Sequence, residues 1–177
     1  LQMHLLAVGF HQSVRRRSDA ETADRLLAFQ ATGIAGVAAG RLRDALGADG
    51  GARGLERVLA VHPLAGPAAY TGFSSEVSAD GASLAVRWDT RADGFADDPW
   101  LPLLARDGLR PLAAAAQAVD PRWTVERVPS DGAGVEAVLR LGDEPARESD
   151  EVAVTRISTG AAFTFGPTRT PLPITPV

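Results

Sequence analysis

The hydrophobic pattern of this chain changes its period at the loop of residues 62–67. Before the loop, apolar residues recur at steps of three and four, which is typical of amphipathic helices. After the loop, apolar and polar residues alternate, as they do in half-buried strands. Helices followed by a strand-rich part predict an α+β fold, because an α/β fold alternates strands with helices throughout.

Two helices are predicted before this loop. Ser18 and Glu21 have the three-residue spacing of a capping box, so the first helix should start at Asp19. Its apolar stripe ends at Gly47, a residue type that commonly terminates helices. The second helix, Ala52–Val61, should stop there because a proline follows, and proline disfavours helical backbone in the residue ahead of it.

Three glycines, Gly33, Gly36 and Gly40, lie within the first predicted helix. Each costs about 1 kcal/mol relative to alanine in a helix, so we predict that they let another element pack closely against it. Their spacing, G-x-x-G-x-x-x-G, differs from the G-x-G-x-x-G of dinucleotide-binding turns. Packing through small residues is therefore favoured over a nucleotide site.

The part of the chain after the loop contains two predicted hairpins and a further pair of strands. Asp80-Gly81 marks the tight turn of the first hairpin. A helical segment, Trp100–Leu104 followed by Leu112–Val119, is inserted between the hairpins. We expect an antiparallel sheet of about six strands, packed against the N-terminal helices and this inserted helical segment. The predicted strands are Tyr70–Val77, Ala82–Thr90, Trp123–Val128, Val135–Leu141, Val152–Ile157 and Ala161–Phe165.

The chain is expected to form one domain with an extended end. Residues 1–166 contain no linker long enough to divide them, so they are predicted to be a single α+β domain. Residues 167–177 include four prolines, which exclude a helix or a central strand, and we interpret them as a proline-rich arm or linker. Because the chain starts at Leu1 and its one methionine is Met3, we expect it to be part of a longer polypeptide or to begin with a cloning remnant.

Composition excludes several classes of function. The chain has 22 acidic and 18 basic residues, and its net charge of −4 argues against binding to nucleic acid or to an anionic membrane. No cysteine is present, which excludes disulfides, cysteine-ligated metal centres and thiol nucleophiles. Lysine and asparagine, which have AT-rich codons, are also absent, so the source is expected to be a high-GC bacterium. No apolar run reaches the roughly 20 residues of a membrane span, and we expect a soluble, cytoplasmic protein.

Five residues are candidates for binding a ligand: His62, Tyr70, Arg87, Trp88 and Trp123. His62 lies in the loop between the helices and the first hairpin, where functional side chains are common. Aromatic residues on strands build either a core or an apolar ligand cavity. An arginine that enters such a cavity can pair with a carboxylate or phosphate, whereas on an exposed face it only contributes charge. If His62 binds a ligand, His62→Ala should change ligand affinity more than stability. The alternative interpretation is that His62 caps the end of a helix.

Neither a metal site nor a cofactor is predicted. His4 and His11 are seven residues apart, and the chain contains no H-x-x-x-H element that would place two imidazoles on one helix face. Four aspartates lie between the second strand and the inserted helical segment: Asp89, Asp93, Asp97 and Asp98. Their spacing is not that of a calcium-binding loop. A turn and a helix N-cap account for such aspartates without an ion.

Three classes of function are compatible with these observations. The first in rank is a non-catalytic small-molecule-binding or sensory domain, with a small apolar or carboxylate-bearing molecule between sheet and helices. The second is an interaction module, such as a homodimer that associates through the glycine-lined helix. The third is an enzyme, a hydrolase, cyclase or isomerase that uses His62 with an aspartate or with Arg87 and Tyr70. No residue is assigned as catalytic, because no catalytic motif accompanies His62.

Overall fold

The computed structural model describes residues 2–66, 71–90, 109–129 and 134–162. These residues form five α-helices and four β-strands. In chain order the elements are α1 (Gln2–Arg17), α2 (Ala20–Leu46), α3 (Ala52–Val61), the one-turn 3₁₀ helix Pro63–Ala65, β1 (Thr71–Val77), β2 (Ser83–Thr90), α4 (Arg110–Val119), β3 (Trp123–Val128), β4 (Val135–Leu141) and α5 (Asp150–Ala162). The α+β class is therefore confirmed.

The four strands form one antiparallel sheet in the order β1-β2-β4-β3. Strand β4 lies between β2 and β3 and pairs with both. Register brings apolar residues together across the sheet: Trp88 of β2 lies between Phe73 of β1 and Val135 of β4. Because side chains alternate between faces, the neighbouring Arg87 and Asp89 point to the opposite, polar face.

The core lies between the apolar face of this sheet and the helices α2, α3 and α4. Helix α3 packs on β1 and β2, while α4 packs on β3 and on the long helix α2. The largest side chains that are almost completely removed from solvent are Trp88, Trp123, Leu55, Leu59, Leu84, Leu109, Leu112 and Leu139. Burial of these side chains is the main stabilising contribution to the fold, at about 1.5–3 kcal/mol for an aliphatic side chain.

Helix α2 is the centre of the helical part, and its ends follow local signals. Its N-cap is Asp19, whose carboxylate accepts hydrogen bonds from the Thr22 backbone N–H (2.7 Å) and hydroxyl (2.9 Å). The predicted Ser18 and Glu21 capping box is thus wrong: the Ser18 hydroxyl donates back to the Val14 carbonyl at the end of α1 (3.2 Å). Gly47 ends α2 as predicted, with the left-handed φ of 57° that glycine adopts without strain.

The glycines of α2 support close packing at two of their three positions. A Cβ placed on Gly33 would lie 2.6 Å from the Glu151 carbonyl oxygen of α5, and one on Gly36 would lie 2.6 Å from Val152 Cγ2. Helix α5 therefore fits against α2 only because these positions carry no side chain. Around a Cβ on Gly40, no atom of the described residues lies within 4 Å.

The prediction of about six strands is wrong for the described residues, whose sheet has four. The segment Val152–Ile157, predicted as a strand, is part of helix α5. Its β-branched residues favour a strand, but Val152 and Thr155 pack against the glycine surface of α2, and the buried Glu151 pairs with Arg110 of α4. Tertiary contacts thus override the local preference. The last predicted strand begins within α5, and its residues 163–165 lie outside the described residues.

Other predicted elements agree with the structure where it can be compared. Helix α3 has the predicted bounds, and α4 contains the predicted Leu112–Val119. The Trp100–Leu104 segment, the turn of the second hairpin and the proline-rich arm 167–177 lie outside the described residues. Within the described part of the chain, no helix has both the length and the apolar character needed to cross a membrane.

Candidate functional site

His62 is buried and both of its ring nitrogens are hydrogen-bonded. Nδ1 accepts from the Leu64 backbone N–H (3.0 Å), so the proton of the neutral ring is on Nε2, which donates to the Ala35 carbonyl of α2 (3.0 Å). Only 3% of the residue is exposed. Burial lowers the pKa of His62 from 6.5 to about 4, because the charged imidazolium would lose its hydration. In this arrangement the ring is neutral at pH 7 and ties the loop to α2.

Trp88 and Trp123 are core residues with hydrogen-bonded indole groups. Trp88 Nε1 donates to the Leu64 carbonyl (2.8 Å), and Trp123 Nε1 donates to the Gly50 carbonyl (3.0 Å). Leu64 thus holds His62 through its N–H and Trp88 through its carbonyl, so the structure does bring these two predicted residues together. Together they fix the loop after α3 against the sheet.

Arg87 lies on the opposite face of the sheet from Trp88. Its guanidinium pairs with Asp89 of the same strand (2.9 Å) and with Glu136 of β4 (2.7 Å). The hydrogen bond to Asp89, with the nearby Glu136 charge, raises the pKa of Arg87 above its ordinary value. Tyr70 lies outside the described residues. The alternation of β2 therefore separates Arg87 from His62, Trp88 and Trp123.

A cleft of about 230 Å³ opens elsewhere, between α2, α4 and the segment that leads into α5. It is lined by Arg43, Ala114, Gln117, Ala118, Pro121, Ala146, Glu148, Ser149, Val152 and Arg156. The three elements meet because α2 packs on both α4 and α5, so their small side chains leave a depression where the three surfaces do not close.

One wall of the cleft is formed by small apolar residues and held by two polar side chains. Ala114, Ala118 and Val152 supply the apolar surface. Arg43 of α2 donates from Nη1 to the Ala118 carbonyl (3.0 Å), which ties α2 to the C-terminal end of α4. Gln117 Nε2 lies 3.4 Å from the Trp123 carbonyl, at the start of β3. The two polar side chains of this wall are thus held in place by hydrogen bonds to backbone carbonyl groups.

A pair of opposite charges also lines the cleft. Arg156 of α5 donates from Nη1 to Glu148 Oε2 (3.2 Å) and from Nη2 to Oε1, a two-point contact. Both side chains are well exposed, at 62% and 43% respectively. Ser149, between Glu148 and the helix, accepts from the backbone N–H groups of Val152 and Ala153 through its carbonyl and starts α5. The cleft thus combines an apolar wall with guanidinium and carboxylate groups at its opening.

Among the described residues, no group of three or more histidine, aspartate and glutamate side chains is placed to hold a metal ion. His11 is buried and pairs through Nε2 with Asp24 of α2 (2.7 Å), across the α1–α2 contact. Of the four aspartates considered as a cation site, three lie outside the described residues, and Asp89 pairs with Arg87.

Large apolar side chains are exposed on four of the described helices, α1, α2, α3 and α5. Phe10 of α1 and Leu26 and Phe29 of α2 are each 43–44% exposed, and Ile157 of α5 is 72% exposed. The glycine face of α2, predicted as a route to a homodimer, is covered by α5 of the same chain at Gly33 and Gly36.

Sequence reasoning missed the cleft because no local spacing marks it. Its walls come from residues as far apart as Arg43 and Arg156, and the second of these was assigned to a strand. Comparisons with protein-family models, with curated proteins and with solved structures find no match for this chain. The site therefore has to be interpreted from its own geometry.

Proposed function

We propose that this chain is a non-catalytic binding domain, and that it holds a small organic molecule in the cleft between α2, α4 and α5. The observation that carries the proposal is the cleft itself, which joins an apolar wall of Ala114, Ala118 and Val152 to the charged groups of Arg43, Arg156 and Glu148. Ligand sites commonly have this combination of apolar surface with a few placed polar groups. The binding site is thus proposed away from the sheet–helix interface, where Trp88 and Trp123 pack as core.

The size of the cleft restricts the ligand. Its volume of about 230 Å³ is below the roughly 300–1,000 Å³ of sites for drug-sized molecules. The proposed ligand is therefore a small molecule with one compact apolar group, such as a single ring or a short branched chain. Gln117 and Ser149 offer additional polar groups for its heteroatoms.

A binding role is favoured over an enzymatic role by the environment of His62. A general base must reach the proton that it abstracts and have a lone pair to accept it. His62 Nδ1 already accepts from Leu64, its Nε2 proton is donated to Ala35, and the residue is 3% exposed. The charged groups of the cleft lie on other elements and do not include a histidine.

Saturation-transfer NMR with phenylacetate and its neutral amide, phenylacetamide, tests the proposal. At least one probe should bind the wild-type protein and be excluded by Ala118→Leu, which fills the cleft. Ala60→Leu, the same change at an exposed position of α3, is the matched control and should leave binding unchanged. Binding of neither probe, or equal binding to wild type and Ala118→Leu, would refute the proposal.

Association with a second copy is a second candidate function, favoured by the exposed Phe10, Leu26 and Phe29 on α1 and α2. Leu26 and Phe29 are three residues apart on α2, and neighbouring exposed apolar side chains commonly mark an interface. Sedimentation equilibrium of the wild type and of Phe29→Glu tests it. A dimer that dissociates in the variant supports association through this surface, and a monomeric wild type contradicts it.

A further inference from the structure

We propose that Glu148 is an internal competitor of the ligand: its carboxylate occupies Arg156 at the opening of the cleft, and a carboxylate-bearing ligand takes its place. This inference rests on the proposed function, because it concerns the same cleft. It adds the chemical class of the ligand, a small monocarboxylate with an apolar group, and the residue that receives the carboxylate.

The geometry of the pair supports this assignment. Both oxygens of Glu148 contact the guanidinium of Arg156, one through Nη1 at 3.2 Å and the other through Nη2. A two-point contact of this kind uses the planar fork of arginine, which matches a carboxylate and matches a neutral amide much less well. Since both residues line the cleft, the fork of Arg156 is already held where a ligand carboxylate would enter.

The pair is also easy to exchange. Arg156 is 62% exposed and Glu148 is 43% exposed, so water and ions screen their attraction and the contact contributes little to folding. Glu148 lies in the segment just before α5, whereas Arg156 lies within the helix. The exposed Glu148 side chain can therefore rotate outward while the guanidinium stays attached to a helix.

A ligand gains contacts that Glu148 does not make. Its apolar group would cover Ala114, Ala118 and Val152, while its carboxylate replaces that of Glu148 on Arg156. The second guanidinium of the cleft, Arg43, remains held by the Ala118 carbonyl and by Asp44. Exchange thus keeps the charge of Arg156 compensated and adds apolar burial, which is the source of net affinity.

The test compares phenylacetate and phenylacetamide by titration calorimetry on a set of variants. Glu148→Gln removes the competitor and should tighten phenylacetate binding by up to about fivefold, the range that exposed ion pairs allow. Glu148→Asp keeps the charge but shortens the reach to Arg156, so it should also tighten phenylacetate binding. Phenylacetamide affinity should not change in either variant. Arg156→Gln should remove the preference for the carboxylate probe.

Glu144→Gln is the control for net charge, because Glu144 is exposed in the same segment and does not line the cleft. A gain in Glu144→Gln equal to that in Glu148→Gln, or no gain in Glu148→Asp, would show a general charge effect and overturn the competition. Equal affinity of both probes across all variants would overturn this inference while leaving the proposed function intact. Absence of binding by both probes in every protein would overturn the proposed function itself. The melting temperature of each variant verifies that it is folded.

Discussion

Replacing Gly33 of α2 by alanine should destabilise the protein, although alanine is the better helix former. A Cβ at this position would lie 2.6 Å from the Glu151 carbonyl oxygen and would also collide with the Thr155 hydroxyl. The hydroxyl can rotate away, but the carbonyl belongs to the backbone of α5. The only relief is a movement of α5 away from α2.

The magnitude follows from two opposing contributions. Alanine in place of glycine within a helix stabilises by about 1 kcal/mol. Forcing a methyl group into a packed interface costs about 1–3 kcal/mol, and a contact with backbone belongs at the upper end of that range because no change of rotamer removes it. The expected net change for Gly33→Ala is a loss of about 1–2 kcal/mol, and in a protein of this size each kcal/mol lowers the melting temperature by about 2–4 °C.

The same helix provides a matched control at Gly40. No atom of the described residues lies within 4 Å of a Cβ at this position, so Gly40→Ala should stabilise by up to about 1 kcal/mol. Gly36→Ala should fall between the two, because its Cβ would meet the Val152 side chain, which can adjust. Urea unfolding followed by tryptophan fluorescence measures all three, since Trp88 and Trp123 are buried in the folded state.

The order of the three variants is the critical result. If Gly33→Ala is as stable as Gly40→Ala, the contact between α5 and α2 does not exist in solution as described. If all three variants lose stability equally, close packing at Gly33 and Gly36 is not the cause of the loss. Only a graded series, with the greatest loss at Gly33, agrees with the structure.

Three further predictions concern residues that were candidates for ligand binding. His62 should make folding sensitive to acid: its folded pKa of about 4 is below the unfolded value of 6.5, so the unfolded state binds more protons between these values. The stability that depends on His62 is therefore fully present above about pH 6.5 and is lost as the pH falls towards 4. Over this range the free energy of unfolding should fall by about 3 kcal/mol more in wild type than in His62→Gln. Parallel pH profiles of the two proteins would contradict this. Trp123→Phe leaves the Gly50 carbonyl without its indole donor and should cost about 1–3 kcal/mol in urea unfolding, whereas an unchanged midpoint would show that the bond is unimportant. Because the ion pairs of Arg87 are exposed, Arg87→Ala should change the free energy of unfolding by less than about 1 kcal/mol and leave phenylacetate affinity unchanged. Weaker phenylacetate binding in this variant would instead place the ligand on the polar face of the sheet.

The His62 environment also changes the expectation for its removal. The sequence alone predicts that His62→Ala affects binding more than stability. The structure predicts the reverse, because the substitution would leave the Ala35 carbonyl and the Leu64 N–H without their partner and create a cavity beside α2. Unfolding measurements on His62→Ala, with phenylacetate affinity measured on the same preparation, distinguish these expectations.

Elements that are set by local signals could be predicted from the sequence. Helix α3 ends where Pro63 prevents its continuation, and α2 ends at Gly47, which takes the left-handed conformation. The first hairpin turns at Asp80-Gly81, where Gly81 has a φ of 71°. Alternation of apolar and polar residues identified the four strands of the sheet, because one face of each strand is buried.

Helix α5 shows where local reasoning fails. Its run from Val152 to Ile157 is rich in β-branched residues and favours an extended strand when considered alone. What makes it a helix is the surface it meets, the side-chain-free face at Gly33 and Gly36 of a helix more than one hundred residues earlier in the chain. The loss of helix propensity at those glycines is offset by a close contact that only the folded state provides.

The sequence by itself determined the fold class, most element boundaries and the chemistry that the chain lacks, because each of these depends on residue type or on spacing within a few positions. It also proposed Arg87 and Trp88 for one ligand site, whereas the alternation of side chains along β2 puts them on opposite faces of the sheet. The candidate site was decided only by tertiary structure. Arg43, Ala118 and Arg156 converge because three helices pack together, and small side chains form a cleft only where those packed surfaces fail to close.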